Sequence, residues 1–170
     1  VPNIKAIVRY DGTDFAGWQI QPNAPTVQET IETALATIAT NPVKIAGAGR
    51  TDSGVHALGQ VFSCEWPDTI PLEKLWRSLN KMLAPTIRIE SIESAPADFH
   101  ASFSATGKRY AYTIALGSHA DPFLSRYAWN IGWDVSPDKI RDLAQAFVGH
   151  HDFAGFCCSG SEAKTTDRTI

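Results

Sequence analysis

The sequence predicts an α+β fold with an antiparallel sheet, and three observations carry that prediction. Alternating apolar runs recur up to about Ser94. Two longer runs between them carry apolar residues at helical spacing. In chain order these read β-α-β-β-α-β, the split βαβ or ferredoxin-like unit, and about half of a second, similar unit follows.

Each element has a local cause. Ile4, Ala6, Val8 and Tyr10 alternate with Lys5, Ile7 and Arg9, the period of a strand with one mostly apolar face. DGTDFAGWQIQPNAP is a loop of turn formers. Thr26 and Glu29 form a T-x-x-E capping box at the start of a helix that runs to Ala39. Val27, Ile31, Ala34, Leu35 and Ile38 share one face of it. Asn41-Pro42 stops that helix. Val43 to Ala48 and Leu58 to Trp66 read as strands on either side of a glycine-rich loop. Pro71 to Leu83 is a second helix with Leu72, Leu75, Trp76, Leu79 and Leu83 on one face, and Thr86 to Ser94 is a fourth strand. Two helices then cover one face of the sheet and leave the other for a partner.

This divides the chain into residues 1–98, which carry the glycine loop, and 99–170, the first part of a second domain. In the latter, Lys108 to Leu116 reads as a strand and Trp129 to Asp134 as a shorter one. Ser136 caps a helix with Pro137 at its first position, running to about Val148. Arg168, Thr169 and Ile170 look like the opening of another strand. A half unit exposes a strand edge, which is costly unless covered, so the chain is expected to be cut before its second unit closes.

The 170 residues are 44% hydrophobic and 19% charged, the balance of an ordinary globular protein and not of a disordered one. No apolar run approaches the roughly 20 residues of a membrane span, and the N-terminus lacks the apolar stretch of a signal peptide. Cys64, Cys157 and Cys158 are odd in number, two are adjacent, and no C-x-x-C occurs. That pattern argues against a disulfide framework and a zinc site, and for a reducing, cytoplasmic setting. The net charge of -3 argues mildly against a nucleic-acid binder as a whole, but leaves room for a local basic cleft.

The stretch GAGRTDSGVHALGQV, Gly47 to Val61, needs explaining. Gly49 and Gly54 have P-loop spacing, but Val55-His56 follows where Lys and Ser/Thr belong. Gly47-Ala-Gly49 begins like a dinucleotide loop, but Asp52 replaces the third glycine and would repel a pyrophosphate. The bland reading is a strand connection with Arg50 and Asp52 as solvated turn residues. The functional reading is that Gly54 and its fellow glycines bare the backbone to a bulky ligand. Arg50, two residues from Asp52, then favours the ionised carboxylate, suited to nucleophilic attack or to stabilising positive charge. No second carboxylate is adjacent, so a glycosidase pair is not signalled.

Four blocks, in order, resemble the tRNA pseudouridine synthase A family: YDGTDFAGWQIQPNAPTVQ, GAGRTDSGVHALGQV, FHASFSATGKRYAYTI and GHHDFAGF. The resemblance implies a pseudouridine synthase fold and isomerisation of uridine to pseudouridine at positions 38, 39 and 40 of the tRNA anticodon stem-loop. It implies no cofactor, no metal and no membrane, with tRNA as partner and a homodimer as the assembly. By the same resemblance Asp52 is the catalytic aspartate and Arg50 accompanies it, holding it ionised and filling space vacated by the flipped base. Tyr110 is the active-site tyrosine, able to stack on uracil and to remove the C5 proton. Tyr112 shares its face and ranks second. Lys108 and Arg109 are placed to meet phosphates. His56, Gly54, Asp11 and Trp18 are further candidates for contact with substrate, although Asp-Gly pairs often only make turns and a lone histidine is more often structural. His150, His151 and Asp152 fall in the last block, which explains them without metal. Trp66, Trp76, Trp129 and Trp133 read as core or interface aromatics.

Two positions depart from the family pattern. Ser102 stands where an arginine usually follows Phe-His-Ala, and Cys157 stands where another is common after the last block. Both remove charge that could face RNA. Two rival readings remain: a catalytically inactive RNA-binding fragment, and a purely structural fragment with an exposed apolar face.

Overall fold

A computed structural model describes residues 2–67, 69–133, 135–157 and 165–170. The chain groups into two compact units, Val1–Arg109 and Tyr110–Ile170.

The first unit holds β1 (Asn3–Tyr10), α1 (Val27–Ala39), β2 (Ala46–Gly47), β3 (Ala57–Glu65), α2 (Leu72–Leu83) and β4 (Ile87–Ala95). These strands form one sheet in the order β2-β3-β1-β4, and every neighbouring pair is antiparallel. The mixed α and β content with an antiparallel sheet is the class that the sequence predicts. β1 lies inside the sheet, with Ala6 opposite Phe62 on β3 and Ile92 on β4. The alternation seen in sequence is a real division of faces. Ile4, Ala6, Val8 and Tyr10 are buried, whereas Lys5 and Ile7 are half-buried and Arg9 is exposed.

The helices cover the apolar face. Val27, Ile31, Ala34 and Leu35 of α1 and Leu75, Leu79 and Leu83 of α2 join Phe62, Trp66, Ile87 and Ile89 in one core. Each such aliphatic side chain, fully buried, stabilises the fold by about 1.5–3 kcal/mol before entropy is counted. Thr26 caps α1 by accepting the Glu29 N–H at 3.3 Å. Asn80 exchanges two hydrogen bonds with the Ile89 backbone, at 3.0 and 2.8 Å, and so fixes α2 against β4. On the opposite face Lys5 pairs with Glu93 at 2.7 Å. The chain beyond β4 crosses that face. Asn3 Nδ2 donates to the Phe99 carbonyl at 2.5 Å, and Ser63 Oγ accepts the Ala101 N–H at 3.1 Å.

The second unit has short elements. β5 (Ile114–Leu116) pairs in parallel with β6 (Trp129–Ile131), and β7 (His150–Asp152) pairs antiparallel with β8 (Asp167–Thr169). α3 (Pro137–Ala144) is capped by Ser136 and continues as a single 3-10 turn, Gln145–Phe147. A second such turn spans Ala154–Phe156. Among its described residues only Ile131 joins the buried hydrophobic set.

Several expected boundaries are corrected. The strand read from Lys108 to Leu116 is confined to β5, and residues 105–113 have no regular structure. The alternating pattern is present, but a strand holds only when a neighbour takes its backbone hydrogen bonds, and β6 offers three residues. The strand read from Val43 shrinks to β2, because only Ala46 and Gly47 face partners, Ser63 and Phe62. The helix expected to reach Val148 ends at Ala144, and β6 stops at Ile131; Asp134 lies outside the described residues. β7 carries no strand signal in its sequence, His-His-Asp, and exists through pairing with β8.

Candidate active site

The loop between β2 and β3 carries Arg50, Asp52, Gly54 and His56, and the first loop of the unit fastens it. The Trp18 N–H donates to the Thr51 carbonyl at 2.9 Å. The Phe15 carbonyl accepts the Gly54 N–H at 3.2 Å and the Ser53 hydroxyl at 3.3 Å. From within the sheet, Tyr10 shares a hydrogen bond with the Thr51 hydroxyl at 2.9 Å. Gln60 Nε2 donates to the Gly49 carbonyl at 2.6 Å.

Two glycines make this stacking possible. The Val55 N–H donates to the Asp52 carbonyl at 3.2 Å, closing a turn whose third residue is Gly54 with φ 78°. That left-handed conformation suits glycine. Gly17 has φ 100°, and a β-carbon on it would stand 2.6 Å from the Thr51 carbonyl oxygen. The first loop in turn serves α1. The carbonyls of Gly17 and Trp18 accept the N–H groups of Val27 and Gln28, two of the donors that a helix start leaves open.

Asp52 and Arg50 are both exposed. Arg50 borders an open pocket of about 290 Å³ together with Trp18, Gln19, Gln28, His100 and Ser102. Trp18 is buried to 1% exposure, its ring 6.0 Å from that of Tyr10, so it serves as floor and core. Asp11 accepts hydrogen bonds from the Thr13 N–H and hydroxyl, at 3.0 and 2.5 Å. His56 Nδ1 accepts the Gly12 N–H at 3.1 Å and lies 3.2 Å from the Asp11 carboxylate. His56 therefore ties the two loops together. Lys108 lies with its ammonium end against Gly49, where a β-carbon would strike it. Arg109 is exposed at the end of the first unit. Tyr110 opens the second unit, 78% exposed, in the stretch before β5 that has no regular structure. Tyr112, equally exposed, meets Trp129 edge-on at 6.2 Å.

Burial raises the Tyr10 phenol above its ordinary pKa, against the opposing effect of its hydrogen bonds to Thr51 and Gln60. The sequence motifs do not single out Tyr10, Thr51 or Gln60 as holding residues. A signal existed: a tyrosine on the core face of a strand must find a partner for its hydroxyl. The partner itself, 41 residues away, is invisible without the fold.

His150, His151 and Asp152 are engaged otherwise than as a cluster. His150 reaches Thr169, His151 the Val148 carbonyl, and Asp152 accepts from Ala154 and Thr166. Those last two hydrogen bonds, that from Thr166 first, hold the Asp152 carboxyl below its ordinary pKa. Among the described residues no group of three or more His, Cys, Asp or Glu side chains is placed to hold a metal ion. Cys64 is buried and Cys157 exposed; Cys158 lies outside the described residues.

Comparison with known proteins gives the family of the chain. The family model described as tRNA pseudouridine synthase matches residues 6–104. The tRNA pseudouridine synthase A of Geobacter sulfurreducens is 40% identical over 167 residues, covering 98% of this chain and 68% of that protein. Proteins of the same name from Lacticaseibacillus casei and a Geobacter species are each 42% identical. They cover 98% and 99% of this chain, and 68% of each relative. This chain belongs to the tRNA pseudouridine synthase family, whose members are isomerases, and spans about two thirds of the length of these relatives.

Proposed function

We propose that the protein isomerises uridine to pseudouridine at positions 38, 39 and 40 of the tRNA anticodon stem-loop, with Asp52 as the essential carboxylate. The reaction breaks the bond from N1 to the ribose C1′ and joins C5 to C1′. The C5 proton is lost and N1 gains one, so no cofactor is consumed. The target base must first leave its stack.

The observation that carries this reading is the exposed Asp52, on a loop fixed from both sides, two residues from Arg50 at the border of an open pocket. Arg50 supplies positive charge beside the carboxylate. Tyr110 is assigned to stack on the flipped uracil and take the C5 proton, an assignment supported by its place in the family block. Lys108 and Arg109 meet phosphates, and the loop residues Gly54, His56, Asp11 and Trp18 shape the cleft.

The same reading takes residues 1–98 as a ferredoxin-like domain and 99–170 as the first part of a similar one, working as a homodimer in the cytoplasm. Among the described residues no helix is long and apolar enough to cross a membrane.

Tritium release from C5-labelled uridine in an anticodon stem-loop RNA tests the proposal. Release is expected from the protein and not from its Asp52→Ala variant. Release that survives the substitution removes Asp52 from its role. RNA binding without release, in a chain extended to the relatives' length, replaces the isomerase with an RNA-binding fragment.

A further inference from the structure

We infer that Tyr10 is a positioning residue for the Arg50–Asp52 segment, acting through the Thr51 hydroxyl. The inference rests on the isomerase reading for its kinetic consequence, and on the geometry of the first unit for its cause.

Tyr10 is the last residue of β1, a strand with a partner on each side, and is 4% exposed. Its ring sits near Trp18, 6.0 Å between centroids. Its hydroxyl meets Thr51 Oγ1 at 2.9 Å. Gln60, on β3, donates to the Gly49 carbonyl. The two residues that flank Arg50 are thus held, one by Tyr10 and the other by Gln60, and both holders belong to the sheet. Thr51 is held a second time through its carbonyl, by the Trp18 N–H.

The arrangement separates holding from reacting. The phenol is buried beneath the loop, whereas Arg50 and Asp52 are exposed. A buried hydroxyl without a partner costs free energy, so sheet and loop are coupled. Loss of the hydrogen bond frees the Thr51 side chain while the Trp18 contact keeps the loop from leaving. The expected result is a small displacement of the reacting groups, and a displacement of about 1 Å can cost about a hundredfold in rate.

Tyr10→Phe removes only the hydroxyl and keeps the ring. Thr51→Val removes its partner, and Thr51→Ser keeps it. The expected outcome is a fall in kcat of about ten- to a hundredfold for Tyr10→Phe and for Thr51→Val. KM should stay within about twofold, and the double variant should be no worse than either single one, as for two ends of one contact. Thr51→Ser should retain most of kcat. A second readout is independent of turnover: amide exchange of Trp18, whose N–H is bonded to Thr51, should speed up in Tyr10→Phe.

Asp52→Asn run alongside separates the two ideas. An active Asp52→Asn variant defeats the isomerase reading as stated. An inactive one, together with unchanged kcat and unchanged Trp18 exchange in Tyr10→Phe and Thr51→Val, overturns the positioning role. If no variant turns over, the exchange measurement alone decides whether Tyr10 holds the loop.

Discussion

The N–H of Trp18 donates to the carbonyl of Thr51 at 2.9 Å, joining the first loop of the chain to the residue before Asp52. The donor belongs to a buried indole residue and the acceptor to the loop that carries the exposed Arg50 and Asp52. The site is therefore anchored to the core by backbone.

That anchoring makes Gly17 a sensitive position. With φ 100° and the Thr51 oxygen 2.6 Å from any β-carbon, Gly17→Ala must both strain its own backbone and push the Asp52 loop away. Strain of this kind costs about 1–3 kcal/mol. Urea unfolding should show a loss of that size, and tritium release should fall further than the stability loss alone explains. An unchanged midpoint and rate would mean that the two loops are not packed as described.

Cys64 gives a dependence on pH. Burial, with the nearby Glu32 and Glu65 carboxylates, pushes its thiol from 9.0 up to about 12. The folded state thus binds the proton more tightly than the unfolded chain does. Stability from this group is intact below about pH 9 and falls as pH rises toward 12, because the unfolded chain ionises first. The raised Tyr10 pKa acts in the same direction. Unfolding midpoints across this range should decline, and less steeply in Cys64→Ala. At neutral pH a thiol reagent should modify the exposed Cys157 before Cys64, which reacts only on unfolding.

Lys108 tests the proposed contact with RNA. Its ammonium end lies against Gly49, one residue from Arg50, in a chain whose net charge is -3. If it neutralises a phosphate, Lys108→Gln should weaken binding of an anticodon stem-loop. It should also reduce the slope of log affinity against log salt by about one. An unchanged slope would remove Lys108 from the interface.

How far the fold could be read from sequence follows from the range of the interactions. The alternation of Ile4 to Tyr10 and the apolar spacing of α1 and α2 are imposed by the rise of strand and helix, so they show in any short window. The Thr26 cap is equally local. The pattern from Lys108 to Leu116 is just as clear, yet only Ile114–Leu116 forms a strand. Periodicity describes what a segment could do with a neighbour, and the neighbour is not written in it. The short strand His150–Asp152 shows the converse, a pairing with Asp167–Thr169 that no alternation announces.

The candidate site divides the same way. Sequence alone singled out Arg50 and Asp52 as candidates, because they stand in a compact motif and their blocks resemble one family in order. Tertiary structure decided what holds them: the carbonyl of Phe15, the hydroxyl of Tyr10, the amide of Gln60 and the backbone N–H of Trp18. The reason is physical. A motif is read along the chain, whereas the clamp consists of hydrogen bonds between residues as far as 44 positions apart, which exist only once the sheet has brought them together.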